Sequence, residues 1–175
     1  SRGSAAFNYE KLQWLNQHYL KEEPVEVVAE LLREQFVMRG IDLTQGPNLG
    51  EIIPVFVERC KTVRDLCEMT CYLFQDQIVY DEEALQKYLQ PAVLVPMQQL
   101  YTKLAGLTLW QAESIHLCIH ELCQELSLGM GKIAQPLRVM VTGSTTSPSI
   151  DTTLQLVGKT RTLQRLASCL TRMKS

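Results

Sequence analysis

Apolar residues along this chain recur at three- and four-residue spacing, the signature of helices that each bury one face. No stretch sustains an alternating apolar–polar pattern bounded by hairpin turns. Asn8 is placed to cap a helix through about Leu20, with Phe7 and Leu12 as its hydrophobic staple and Leu12, Leu15 and Tyr19 on one face. Pro24 opens the next helix, whose stripe is Val28, Leu31, Leu32 and Gln35–Phe36, and Gly40 closes it. Residues 48–59 read as a helix interrupted or bent near Pro54. Thr62 and Asp65 form a capping box for 63–75, with Leu66, Met69, Thr70 and Leu73 as its face. Asp81 caps a short helix over 82–89 whose acidic start suits the helix dipole.

Pro91 and Pro96 mark a junction, so two subdomains are expected, 5–90 and 91–175. Residues 1–4 (SRGS) read as an expression-vector remnant. Past the junction a helix runs to about Ala105. Thr108 and Gln111 suggest a second capping box, opening the longest helix, about 109–127, which Gly129 and Gly131 would end. Ala134, Leu137, Met140 and Val141 repeat at helical spacing, although the β-branched content leaves a strand open. Ser147-Pro148 looks like a helix start, serine as cap and proline in the first turn, for a helix ending near Val157. After Gly158 a last helix over 160–171 turns Leu163, Leu166 and Leu170 inward and Arg161, Arg165 and Arg172 largely outward. The expected fold is all-α, about ten short helices.

Composition adds little, but charge distribution adds something. The 175 residues carry 17 Lys+Arg and 19 Asp+Glu, a net charge of −2 that does not suggest a general DNA binder. Beyond residue 130, however, Asp151 is the only acid among seven basic side chains. The basic C-terminal third could dock a polyanion or could be an ordinary solvated surface. No apolar run is long enough to span a membrane, and no basic-then-apolar leader opens the chain as given. Six cysteines, three of them at 60, 67 and 71 along one apolar face, read as buried free thiols in a reduced, cytoplasmic protein. Zinc held by His116, Cys118, His120 or Cys123 is the sharper alternative. It is opposed by the absence of a CxxC pair and by a helix that points Cys118 away from the histidines.

No phosphate-binding glycine loop, HExxH, GxSxG or zinc signature is present, so the residues point to a binding or structural module, with no catalytic residue and no metal or cofactor in this chain. The candidate surface runs from Lys132 to Ile150. There Arg138, the hydroxyls of 144–147 and a following helix start could meet phosphates or base edges. A plain Ser/Thr-rich loop with Arg138 in an ion pair is the alternative.

Three segments carry a resemblance: FNYEKLQWLNQHYL at 7–20, GPNLGEIIPVFVERCKTV at 46–63, and GMGKIAQPLRVMVTGSTTSPSIDTTLQLVGKTRTLQRL at 129–166. Together, in order and at matching spacing, they are similar to the C-terminal region of bacterial glutamyl-tRNA synthetases, class I aminoacyl-tRNA synthetases, over essentially residues 5–175. The resemblance implies an α-helical cage of two packed helical subdomains that bind a tRNA anticodon. It also implies a parent enzyme joining glutamate to its tRNA with ATP and Mg through a glutamyl-adenylate. The catalytic N-terminal half, with its ATP motifs, is not in this sequence. The chain alone is expected to be inactive, monomeric, and a partner of glutamate tRNA rather than of DNA or membrane.

By the same resemblance, Arg59 in ERCKT and Arg138 in QPLR read the anticodon, Ser147 contacts it with its hydroxyl, and Ile150 packs on a base. Serine and isoleucine are mild departures, since some members carry threonine at the Ser147 position. Arginine at 59 suggests discrimination of glutamate from glutamine tRNA. Bases unstacked in a bound loop expose edges that a guanidinium reads with two directed donors. Lys132, Lys159, Arg161 and Arg165 are candidates for phosphate contacts, which position RNA without specifying sequence. Two plain alternatives stay open: Arg59 as an ion-pair partner or helix cap, and the whole chain as a helical protein-interaction module without RNA binding.

Overall fold

The computed structural model describes residues 20–175, so the helix expected over 8–20, its cap at Asn8 and the segment 1–4 lie outside the described residues. Among the described residues there are nine α-helices, four short 3-10 turns and no strand. They form two compact units, ending and beginning at Gln75 and Asp76.

The first unit holds α1 (Val25–Met38), α2 (Leu49–Phe56) and α3 (Val63–Thr70), each packed on the other two. Of the expected stripe of α1, Val28, Leu31, Leu32 and Phe36 are buried and Gln35 is half-buried. Arg39 ends the helix, and Gly40 follows at φ +69°. Asn48 caps α2 by accepting from the Gly50 amide at 2.9 Å. Proline at 54 has no N–H for the ladder, yet the helix passes through it and tightens at Val57–Arg59 into a 3-10 turn. Phe36 and Phe56 are fully buried, and removing either ring would cost about 3–5 kcal/mol. Both halves of the Thr62–Asp65 box form: the Asp65 amide donates to Thr62 Oγ1 at 3.0 Å, and the Thr62 amide to Asp65 Oδ2 at 3.2 Å.

The second unit holds α4 (Glu82–Tyr88), α5 (Leu94–Ala105), α6 (Ala112–Leu126), α7 (Met130–Thr142), α8 (Ile150–Val157) and α9 (Lys159–Lys174). The helix α7 is its centre and packs against the other five. A helix enclosed this way must be apolar on most sides. Ile133, Ala134, Pro136, Leu137, Val139, Met140 and Val141 are all buried. This settles the helix-or-strand ambiguity of 134–142 in favour of helix. The helix α4, assigned to the first subdomain by a division near residue 90, packs on α7 through Ala84, Leu85 and Val139.

Two expected helix starts move, each for a tertiary reason. The Thr108–Gln111 box does not form, and α6 begins at Ala112 behind an extended Gln111. Its first amide is capped from a distance: Ala112 N donates to Gln155 Oε1 at 2.6 Å, and the Trp110 indole donates to the Leu154 carbonyl at 2.8 Å. The start expected at Ser147-Pro148 is displaced to Ile150, with Ser149 in the cap position. The glycines expected to end α6 open α7 instead. Ser127, at φ +53°, turns the chain, and the Leu128 amide donates back to the Cys123 carbonyl at 2.9 Å.

Candidate nucleic-acid interface

On the first unit the candidate is Arg59. It is the last residue of the 3-10 turn Val57–Arg59 and is exposed. Its backbone is pinned from both sides. Upstream, the Cys60 amide closes on the Val57 carbonyl at 3.3 Å. Downstream, the Lys61 and Thr62 amides donate to Asp65 Oδ2. Among the described residues no carboxylate pairs with Arg59, so the ion-pair alternative finds no partner there.

On the second unit Arg138, Ser147 and Ile150 fall in one place. Arg138 projects from the enclosed helix α7. Its Nε donates to Ser147 Oγ at 2.7 Å, and its NH1 donates to Gln135 Oε1, one turn earlier on the same helix. Ser147 Oγ has a single proton, which goes to the Pro148 carbonyl at 2.7 Å. It therefore accepts from Arg138 and from Thr153 Oγ1, the latter at 3.2 Å. The Thr153 hydroxyl, fully buried, shares its proton with the Pro148 carbonyl at 3.1 Å. These side-chain bonds hold Ser147 and Pro148 outside the helix, which is why α8 begins only at Ile150. Ile150 itself is 7% exposed at that start.

The loop entering this cluster is set by Gly143, at φ +79°, where a side chain would run into the Val79 carbonyl. Asp81 N donates to the Gly143 carbonyl at 2.9 Å, so the segment 79–81 lies directly against the loop. The helix start after the loop is poorly arranged for a phosphate. Ser149 Oγ donates to Thr152 Oγ1 at 3.0 Å, and Asp151 accepts from the Thr152 amide at 3.0 Å. A carboxylate already sits at the positive end of that dipole.

The four candidate phosphate contacts separate. Lys132 is exposed near the start of α7. Lys159 donates to the Leu107 carbonyl at 2.6 Å, and Arg161 pairs with Asp76 at 3.4 Å. Arg165 corrects the expectation of an outward arginine. It is 4% exposed, and its NH1 donates to the Val141 carbonyl at 2.9 Å. The last carbonyls of a helix have no partner within it, and a cation there meets the negative end of the dipole. Arg165 closes that end of α7 together with Tyr80, whose hydroxyl donates to the Met140 carbonyl at 2.8 Å. Burial raises the Tyr80 hydroxyl well above its ordinary pKa. Arg161, too, is mostly covered rather than outward.

Gln135 and Thr153 were missed by sequence reasoning. Gln135 was legible, since residues three apart on a helix are neighbours. Thr153 was not, because only the fold of the 143–149 loop brings it to Ser147.

All six cysteines are free, with Cys67, Cys118, Cys123 and Cys169 buried. Among the described residues no group of three or more His, Cys, Asp or Glu side chains could hold a metal ion, and no helix is long and apolar enough to cross a membrane.

Residues 25–170 match the family model described as an anticodon binding domain. The chain is 46% identical over all 175 residues to glutamate–tRNA ligases of Legionella pneumophila strains Corby and Lens, and spans 37% of their length. Among solved structures, it is similar to a glutamate tRNA ligase from Elizabethkingia meningosepticum in complex with its amino acid. That match has TM-score 0.81 and 27% identity, over 91% of this chain and 32% of the other. A second likeness is to the glutamate-tRNA synthetase of Elizabethkingia anophelis, with TM-score 0.76 and 26% identity over 90% and 30%.

Proposed function

The chain belongs to the anticodon binding domain family, and from that premise we propose that it is the anticodon-reading part of a glutamate–tRNA ligase, with glutamate tRNA as its partner. The parent enzyme would attach L-glutamate with ATP and Mg in a catalytic half outside this sequence, and this part would be inactive alone. Free, largely buried thiols and the cytosolic nature of translation support a cytoplasmic protein. Nothing in the charge pattern calls for DNA or membrane, and a monomer suffices for the reading.

The observation that carries the proposal is the Arg138 guanidinium, rooted in a buried helix and aimed by Ser147 and Gln135. An arginine fixed in this way can exchange its internal acceptors for a base edge without searching for its orientation. The exposed Arg59 supplies a second reader on the other unit. Ile150, nearly covered at the start of α8, offers only its rim to a base face. Lys132 is the favoured phosphate contact, and Lys159 and Arg161 are secondary because each already holds a carbonyl or a carboxylate. Arg165, closing the end of α7, supports the platform from inside.

A good bidentate base contact is worth about 1–3 kcal/mol of discrimination. The test is a titration of glutamate tRNA against a tRNA with substituted anticodon bases, at matched salt. Arg138→Ala and Arg59→Ala should each erode the preference, whereas Lys132→Ala should weaken both RNAs alike and reduce the salt slope. Equal affinity of the unaltered chain for both RNAs would overturn anticodon reading.

A further inference from the structure

The helix α6 carries two histidines one turn apart, His116 and His120, both exposed on the face opposite the buried Ile115, Cys118, Ile119 and Leu122. Their rings lie parallel, 5° apart in plane and 6.3 Å between centroids. Among the described residues neither imidazole is engaged by another side chain in a hydrogen bond or ion pair. Cys118 lies between them in sequence but points into the core, and Cys123 is buried as well. We propose that His116 and His120 form a two-ligand surface site for a borderline divalent transition metal such as Ni2+, Cu2+ or Zn2+, completed by water.

The chemistry follows from the spacing. Side chains four apart on a helix start from Cβ atoms about 5–6 Å apart. Tetrahedral Zn2+ about 2.0–2.1 Å from each nitrogen needs those nitrogens about 3.4 Å apart, and the cis positions of a tetragonal Ni2+ or Cu2+ need them somewhat closer. Ring rotation achieves this without cost to packing, because both rings stand in solvent. The same two-histidine spacing on one helical face is what HExxH motifs use for zinc, here without the glutamate. Imidazole pairs favour late first-row ions, with Ni2+ above Co2+ and Cu2+ above both. No third His, Cys, Asp or Glu joins the pair among the described residues, so a weak, exchangeable site is expected rather than a structural one.

The test is calorimetric titration of the whole chain with NiCl2 at about pH 7.5 in a non-chelating buffer. His116→Gln and His120→Gln are surface changes expected to leave helicity intact, which far-UV circular dichroism verifies. The unaltered chain should bind one Ni2+. Each single variant should bind about tenfold more weakly or worse, because the second imidazole acts at high effective concentration, and the double variant should bind at least as weakly as either single. Amide resonances of α6 should shift or broaden with Ni2+ in the unaltered chain alone. Undiminished binding in either single variant would place the metal on His18 or the thiols and overturn the proposal, as would no binding at all.

Discussion

Removing the Ser147 hydroxyl tests the network beneath Arg138 more directly than removing the arginine. In Ser147→Ala three hydrogen bonds disappear, but not three partners. The Pro148 carbonyl keeps the Thr153 hydroxyl at 3.1 Å, and Thr153 keeps that carbonyl. Only Arg138 Nε loses its acceptor, formerly at 2.7 Å. A bond from a charged donor is worth about 1.5–3 kcal/mol, and the half-exposed position, open to water, favours the lower end, about 1.5 kcal/mol. Thr153→Val removes the partner hydroxyl while preserving shape, and Ser147 Oγ still holds Arg138 and Pro148. No polar group is orphaned, so about 0.5–1 kcal/mol is expected. For a unit of about 100 residues each kcal/mol moves the midpoint by about 4–8 °C. Thermal unfolding followed by circular dichroism should therefore rank Ser147→Ala below Thr153→Val, and Ser147→Thr should be close to neutral. A double-mutant cycle of Arg138→Met with Ser147→Ala should show coupling of about 1 kcal/mol. A Thr153→Val loss as large as that of Ser147→Ala, or no coupling in the cycle, would refute this account of the network.

Gly143→Ala combines left-handed strain, about 1–2 kcal/mol, with a collision against the Val79 carbonyl that forces backbone movement, about 1–3 kcal/mol. Gly40→Ala has comparable φ and open space, so it incurs only the strain; denaturant unfolding should find Gly143→Ala clearly the worse of the two. Burial, helped by Asp65, lifts the Cys60 thiol from 9.0 to about 11. A raised folded value means the unfolded chain ionises first, so this contribution is complete below pH 9 and is lost as pH rises toward 11. Stability measured across that window should fall, and less steeply in Cys60→Ser.

Much of the fold was legible because its determinants are local. The α1 stripe follows from helical spacing within one segment, and the Thr62–Asp65 box and the Asp81 cap each depend on residues within one turn. The displaced start of α6 depends on a group far away in sequence, and that of α8 on a loop conformation that its own first turn does not encode. Gln155 satisfies the Ala112 amide, and Arg138 and Thr153 occupy the hydroxyl that Ser147 would have given to a helix. The same logic separates the cations. An arginine in a basic stretch looks exposed by default, and nothing near Arg165 reveals that the end of α7 needs closing. The pairing of Arg138 with Ser147 was legible only as proximity of motifs; its hydrogen bonds required the loop.

The enclosure of α7 also sets how adaptable the surface can be. A helix packed against five others cannot slide or tilt without disturbing them, so the guanidinium it carries is presented by a stiff mount. Any molecule that docks there must do the bending itself, and mismatched shapes are rejected by the rigidity of the host rather than by added contacts.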